Sequence, residues 1–187
     1  MVKAAQLRLS WRMVRAIQNT HPATILAFCG LLTAGVNLFG LAKFDDFVLY
    51  WPGVIFGFPV AGYLALLGIP LWRCAAVWGA FVASWSAALF TGLYLGGNIG
   101  LDFFPIGLIC GAIGILLVII GFAIALPRYR DWRIMMVPIV VGVVAGAIVL
   151  VLIDHAEWPL FVIWQTAVGA ALGWKPEVFD RESKAVT

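Results

Sequence analysis

The sequence predicts an all-α polytopic membrane protein: a six-transmembrane-helix bundle of three hairpins, with an N-terminal amphipathic interfacial helix and both termini cytoplasmic. Three observations predict it. Of the 187 residues, 64% are hydrophobic and only 11% charged, whereas soluble domains carry about a quarter charged residues. The mean hydropathy is +1.04. The charges are gathered into short islands, and the apolar runs between them are long enough to cross ~30 Å of hydrocarbon, which takes ~20 residues.

Taken in order, residues 3–18 read as a basic amphipathic helix. Ala4, Leu7, Trp11, Val14 and Gln18 recur at helical spacing, while Lys3, Arg8, Arg12 and Arg15 lie largely elsewhere around the helix. Such a helix suits a membrane surface with anionic lipid, so residues 1–22 are assigned to the cytoplasmic face. His21-Pro22 breaks it. The six-span domain covers residues 23–174. Its first span, 23–42, is too long and uniformly apolar for a signal-peptide core and is expected to be retained. The second, 47–69, holds Pro52 near its start and Pro59 inside, where it should kink the helix. The third, 74–95, ends at the breaker Gly96-Gly97-Asn98. The fourth starts near Ile99 or Phe103 and reaches Leu126. The fifth is 134–153 and the sixth 158–174. Residues 175–187 read as a polar cytoplasmic tail.

Charge tests that count independently. With the N-terminus inside, Lys3, Arg8, Arg12, Arg15, Arg73, Arg128, Arg130, Arg133, Lys175, Arg181 and Lys184 all fall inside, and only Lys43 falls outside. This is the positive-inside pattern of a bacterial inner (plasma) membrane protein. The outside collects Asp45, Asp46, Asp102, Asp154 and Glu157. Three outer turns share one arrangement, an acidic residue, then an aromatic-proline pair, then an apolar run: Trp51-Pro52, Phe104-Pro105 and Trp158-Pro159. GxxxG steps, which let helices approach closely, recur at Gly53–Gly57, Gly92–Gly96, Gly107–Gly111, Gly142–Gly146 and Gly169–Gly173. Together these suggest a repeated two-helix unit, although interfacial aromatics and helix-starting prolines produce the same punctuation in any three hairpins.

Polar groups in the spans are few, and costly groups in a membrane are the functional candidates. Asn37 and Gln165 lie in the outer half of the first and sixth spans. With Asp45, Asp46, Asp102, Asp154, His155 and Glu157 above them, and Trp51, Trp158 and Trp164 at the rim, they would form an acidic, aromatic-rimmed outer vestibule. Such a site favours a cation or an amine through carboxylate pairing and cation–π contact. Each residue alone has a plainer reading, as a solvated loop charge or an interhelical hydrogen bond.

No metal or cofactor is expected, because His21 and His155 fall on opposite faces and Cys29, Cys74 and Cys110 lie in different runs. The sequence holds no G-x-S-x-G, HExxH, P-loop or dinucleotide fingerprint, so no enzyme is expected. Its basic residues flank apolar runs, which gives no nucleic-acid partner. The run from Phe161 to Ala167 resembles the last helix of the tryptophan-rich translocator family, over less than a fifth of the chain. That family has five spans and a proline- and tryptophan-rich first loop that is missing here. Size and span number are similar to the substrate-binding subunits of energy-coupling-factor vitamin transporters, a likeness of architecture alone. Two function classes follow. One is a non-enzymatic accessory or structural subunit of a membrane complex or homo-oligomer, favoured by short loops and small-residue steps. The other is a small-molecule or cation binding or transport protein using the outer vestibule.

Overall fold

The structure is a computed structural model describing residues 16–41, 47–152 and 160–179. Among the described residues it is all-helical, with no strand. The main helices are α1 (Pro22–Leu41), α2 (Phe47–Leu66), α3 (Leu71–Tyr94), α4 (Phe103–Ala125), α5 (Trp132–Leu152) and α6 (Gln165–Leu172). A π-turn at Leu95–Ile99 extends α3, and another at Leu160–Trp164 leads into α6. The stretches Leu71–Ile99, Phe103–Ala125 and Trp132–Leu152 are long and apolar enough to cross a membrane; Pro22–Leu38, Trp51–Leu66 and Val162–Leu172 are shorter apolar helices.

Local chemistry sets the helix ends. Pro22 opens α1, where its missing N–H costs nothing. α2 ends in a Schellman motif: the Ile69 N–H donates to Leu64 O and the Gly68 N–H to Ala65 O. Gly68 takes φ +85°, the left-handed conformation that this motif requires and that glycine tolerates. Pro70 then forces a new start, and α3 begins at once at Leu71. The turn expected at residues 70–73 is therefore shorter than its composition suggests, because a proline just before a helix stops the previous element without delaying the next. The connection expected between the fourth and fifth spans is likewise partly helical. Pro127–Arg130 forms a 3₁₀ turn, and the Arg133 N–H donates to Asp131 Oδ1 at 3.0 Å, capping α5. Gly100, at φ +70°, closes the π-turn after α3.

The helices in contact along the chain run antiparallel, as pairs such as Gly107 with Ala147 and Gly111 with Gly142 show, and α6 returns to lie along α1. At the α4–α5 crossing a Cβ on Gly107 would lie 2.7 Å from Ala147 Cα, and one on Gly146 would lie 2.7 Å from Gly107 O, so the backbones touch. On α6, Gly169 meets the α1 backbone at Leu26 and Gly173 meets it at Ala23.

The core is concentrated toward the end that carries the 67–70, 126–131 and 173–179 connections. There an aromatic column runs from Phe56 to Phe81 (centroids 4.8 Å apart), to Phe122 (6.5 Å), to Tyr129 (5.0 Å) and to Phe179 (6.5 Å). The Tyr129 hydroxyl donates to Leu172 O. The sequence reading ends the bundle at residue 174, yet Val178 and Phe179 are only 2% exposed. The segment after α6 folds back under the helices, and its two apolar residues complete the core. At the same end, Arg73, Arg133 and Lys175 each lie over the indole of the preceding tryptophan, 4.7–5.9 Å from the ring.

Candidate functional site

The opposite end of the bundle, beside the α3–α4 connection, is not filled by the described residues. A cavity of about 430 Å³ opens there between α3, α4 and α5 and runs down to Trp164. Its size falls in the ~300–1,000 Å³ range of small-molecule sites. The reason it exists is the small size of its walls. Ala88, Gly96 and Gly97 put no large side chain into this space, and a Cβ on Gly97 would meet nothing within 4 Å. Phe103, Ile106, Leu89 and Leu93 supply much of the remaining lining.

Two polar side chains in the wall are spent on holding it together. The Ser84 hydroxyl donates to Gly114 O at 2.8 Å, and the Cys110 thiol donates to Ala88 O at 3.2 Å. Both bonds cross from α3 to α4. The floor forms where Ser84, Gly114 and Trp164 meet; a Cβ on Gly114 would lie 3.3 Å from Trp164 Cζ2 and 3.4 Å from Ser84 Oγ. Among the described residues no charged side chain lines the cavity. It is suited to an apolar guest.

Beside it, on the α1–α6 seam, lies a second feature. Thr33, Asn37 and Gln165 are 5%, 0% and 1% exposed. The single Thr33 hydroxyl hydrogen has three acceptors in reach, Cys29 O at 2.7 Å, Gly30 O at 3.0 Å and Gln165 Oε1 at 3.1 Å. Asn37 lies one turn further along the same face of α1. Neither its Nδ2 nor its Oδ1 has a hydrogen-bond partner among the described residues, and the same holds for Thr166 Oγ1. An amide so placed is costly, and buried polar groups are nearly always paired.

The sequence-derived candidates divide accordingly. Gln165 and the helix face bearing Asn37 come together on the seam through Thr33. Trp164 is half-buried and lines the cavity. Asp102 is exposed as the residue before α4, makes no side-chain capping bond, and sits next to Phe103 at the cavity mouth. Trp51 is 53% exposed on α2 and lines neither feature. Asp45, Asp46, Asp154, His155, Glu157 and Trp158 lie outside the described residues, as do Lys3, Arg8, Trp11, Arg12 and Arg15. Among the described residues no cluster of three or more metal-ligating side chains occurs. Ser84, Cys110 and Gly114 are the site residues that sequence reasoning did not select. Their only signal is small size in a helix otherwise rich in large apolar residues. No family model, curated protein or solved structure matches the chain.

Proposed function

We propose that the chain is a multi-pass membrane protein of the bacterial inner membrane, with six spans and both termini cytoplasmic, that binds a small, largely apolar molecule within the bilayer and has no catalytic role. The observation that carries this reading is the cavity of about 430 Å³, walled by glycine, alanine and apolar side chains. The cavity is a cleft partly open to its surroundings, and cross-helix bonds from Ser84 and Cys110 fix its α3 and α4 walls relative to each other. The six-span reading is supported by the antiparallel order of the helices and by Arg–Trp and Lys–Trp pairs gathered at one end. Tryptophan and basic residues are favoured where a helix leaves the cytoplasmic leaflet, and anionic lipid is the partner expected there.

The test is binding of a solvatochromic naphthalene dye to the full chain in lipid nanodiscs. Gly96→Leu places a large side chain at the cavity mouth, where a Cβ would meet only Ile106 Cδ1, at 3.5 Å, so the fold tolerates it. Saturable binding to the wild type that Gly96→Leu removes supports the reading. Equal signal from the wild type, the variant and empty nanodiscs overturns it.

A second reading, an accessory subunit of a membrane complex or homo-oligomer, is favoured by one observation. Ala75, Gly79 and Ala83 form an exposed small-residue line on the outer face of α3, with nothing within 4 Å of a Cβ on Gly79. Small lines of this kind seat neighbouring helices in membranes. Mild-detergent purification decides it: Gly79→Leu should release a fixed partner or lower the oligomer mass, and a wild-type monomer that co-elutes with nothing excludes it.

A further inference from the structure

One hydrogen-bond donor at the floor of the cavity is unspent. The Ser84 and Cys110 hydrogens go to backbone carbonyls across the wall. The indole N–H of Trp164 makes no hydrogen bond among the described residues. Other tryptophans differ. Trp78 Nε1 donates to Val54 O and Trp174 Nε1 to Ile134 O, each at 3.2 Å. Trp72 and Trp132 stand beside arginines at the basic end, 63% and 64% exposed, where water reaches them. Trp164 is half-buried and lines the cavity. A buried indole usually finds an acceptor for its N–H, and hydrocarbon offers none.

The ring is placed to present that donor to a guest. A Cβ on Gly114 would lie 3.3 Å from Trp164 Cζ2 and 3.9 Å from Cη2. Cζ2 adjoins the ring carbon that bears Nε1, so the N–H lies on the edge of the indole that meets the floor glycine. Among the described residues the sealed, unpaired polar atoms are those of Asn37, Arg73 and Thr166, so the Trp164 nitrogen stays open to a guest. From these observations we infer that the occupant of the cavity is a neutral, apolar molecule whose buried end carries an acceptor oxygen, of the ketone, quinone or ester class, and that this oxygen takes the hydrogen bond of Trp164. The inference rests on the reading of this cavity as the ligand site and adds the class of ligand.

The alternatives lose on chemistry. Among the described residues no charged side chain lines the cavity, so a carboxylate or an ammonium would give up its hydration without gaining a counter-ion. The indole donates and does not accept, so an ammonium gains nothing from it. A plain hydrocarbon fits the walls and leaves the N–H unpaired. A carbonyl oxygen pairs it and brings no hydrogen that needs a partner of its own.

The experiment uses the full chain in lipid nanodiscs and two probes of one shape, methyl naphthyl ketone and isopropenylnaphthalene, in which a methylene replaces the carbonyl oxygen. Binding is read by equilibrium dialysis, each probe relative to its own partition into empty nanodiscs. The ketone should bind about five- to tenfold tighter, the worth of one neutral hydrogen bond. The carbonyl stretch of the bound, isotope-labelled ketone should lie at lower frequency than in empty nanodiscs. Replacement of Trp164 by benzothienylalanine, which keeps the ring shape and puts sulfur in place of the N–H, should remove both the preference and the frequency shift and leave hydrocarbon binding unchanged. A ketone that binds no tighter than the hydrocarbon, or a preference that survives this replacement, overturns the inference and leaves the apolar-ligand reading standing. If neither probe binds and Gly96→Leu equals the wild type in dye binding, both fall.

Discussion

Asn37 and Tyr129 show what burial does to a polar side chain with and without a partner. Asn37 is fully buried and both of its amide atoms are unpaired among the described residues. An unmet buried amide costs about 1–3 kcal/mol, and an apolar group of similar shape removes that cost. Asn37→Leu is therefore expected to hold or raise stability by about 1 kcal/mol, read as the thermal unfolding midpoint in nanodiscs; a large drop would mean that the amide has a partner it depends on. Tyr129 is the opposite case. It is 1% exposed and its hydroxyl is used by Leu172 O. Tyr129→Phe should cost about 1 kcal/mol. Burial holds the Tyr129 phenol well above its ordinary range, whereas an unfolded chain releases that proton near pH ~10. The folded pKa is the higher of the two, so the stabilisation is complete below pH ~10 and falls as pH rises above it. The wild type should lose stability between pH 9 and 11 more steeply than Tyr129→Phe, and parallel curves would exclude this.

At the scale of the helix, glycine spacing has two opposite meanings that only packing separates. Gly107–Gly111 and Gly92–Gly96 have the same spacing in the sequence. A Cβ at Gly107 or Gly111 would strike the α5 backbone at 2.7 Å, whereas one at Gly96 would reach only Ile106 Cδ1, at 3.5 Å. The first pair brings helices together; in the second, Gly96 leaves open space while a Cβ on Gly92 would lie 3.3 Å from Cys110 Sγ. Gly107→Leu should therefore cost about 1–3 kcal/mol or prevent folding, as overpacking does. Gly62→Leu, with nothing within 4 Å of its Cβ, should change stability little. Expression and unfolding of the two variants check the contrast. This ambiguity is why the cavity was hidden in the sequence while the apolar runs were not. Hydropathy is a local property and marks a helix wherever it lies, but an empty space depends on what three helices omit together. Asn37 and Gln165 were legible because a polar side chain in an apolar run is conspicuous by itself. Ser84 and Gly114 were not, since a serine or a glycine in a helix says nothing about its neighbour across the gap. Val178 and Phe179 escaped for a related reason: two apolar residues amid Lys175, Glu177, Asp180 and Arg181 carry no periodic signal.

Across the whole molecule, the packed half and the hollow half lie at opposite ends, and orientation in the bilayer decides which solution the cavity faces. Gln18 Nε2 donates to Leu66 O at 2.9 Å, tying the entry to α1 to the end of α2. Trp174 Nε1 donates to Ile134 O at 3.2 Å, tying the end of α6 to the start of α5. Both chain ends of the described bundle thus lie beside the basic connections at Arg73 and Arg128–Arg133, at the packed end. If basic residues stay in the cytoplasm, the hollow end faces outward and a ligand enters from outside or from the outer leaflet. Odd and even span counts give different outcomes here. Six crossings put residues 18, 130 and 174 on one side and residue 97 on the other; if only Leu71–Ile99, Phe103–Ala125 and Trp132–Leu152 crossed, residues 18 and 174 would be on opposite sides. In a background with Cys29, Cys74 and Cys110 replaced, Gly97→Cys should react with a membrane-impermeant maleimide on intact cells, while Gln18→Cys, Arg130→Cys and Lys175→Cys should react only after lysis. Gly97 is the suitable reporter because it is exposed and has nothing within 4 Å of a Cβ. Labelling of Gln18→Cys and Lys175→Cys from opposite sides would overturn the six-span topology. Labelling of Gly97→Cys only after lysis would keep the span count, reverse the orientation, and open the cavity to the cytoplasm.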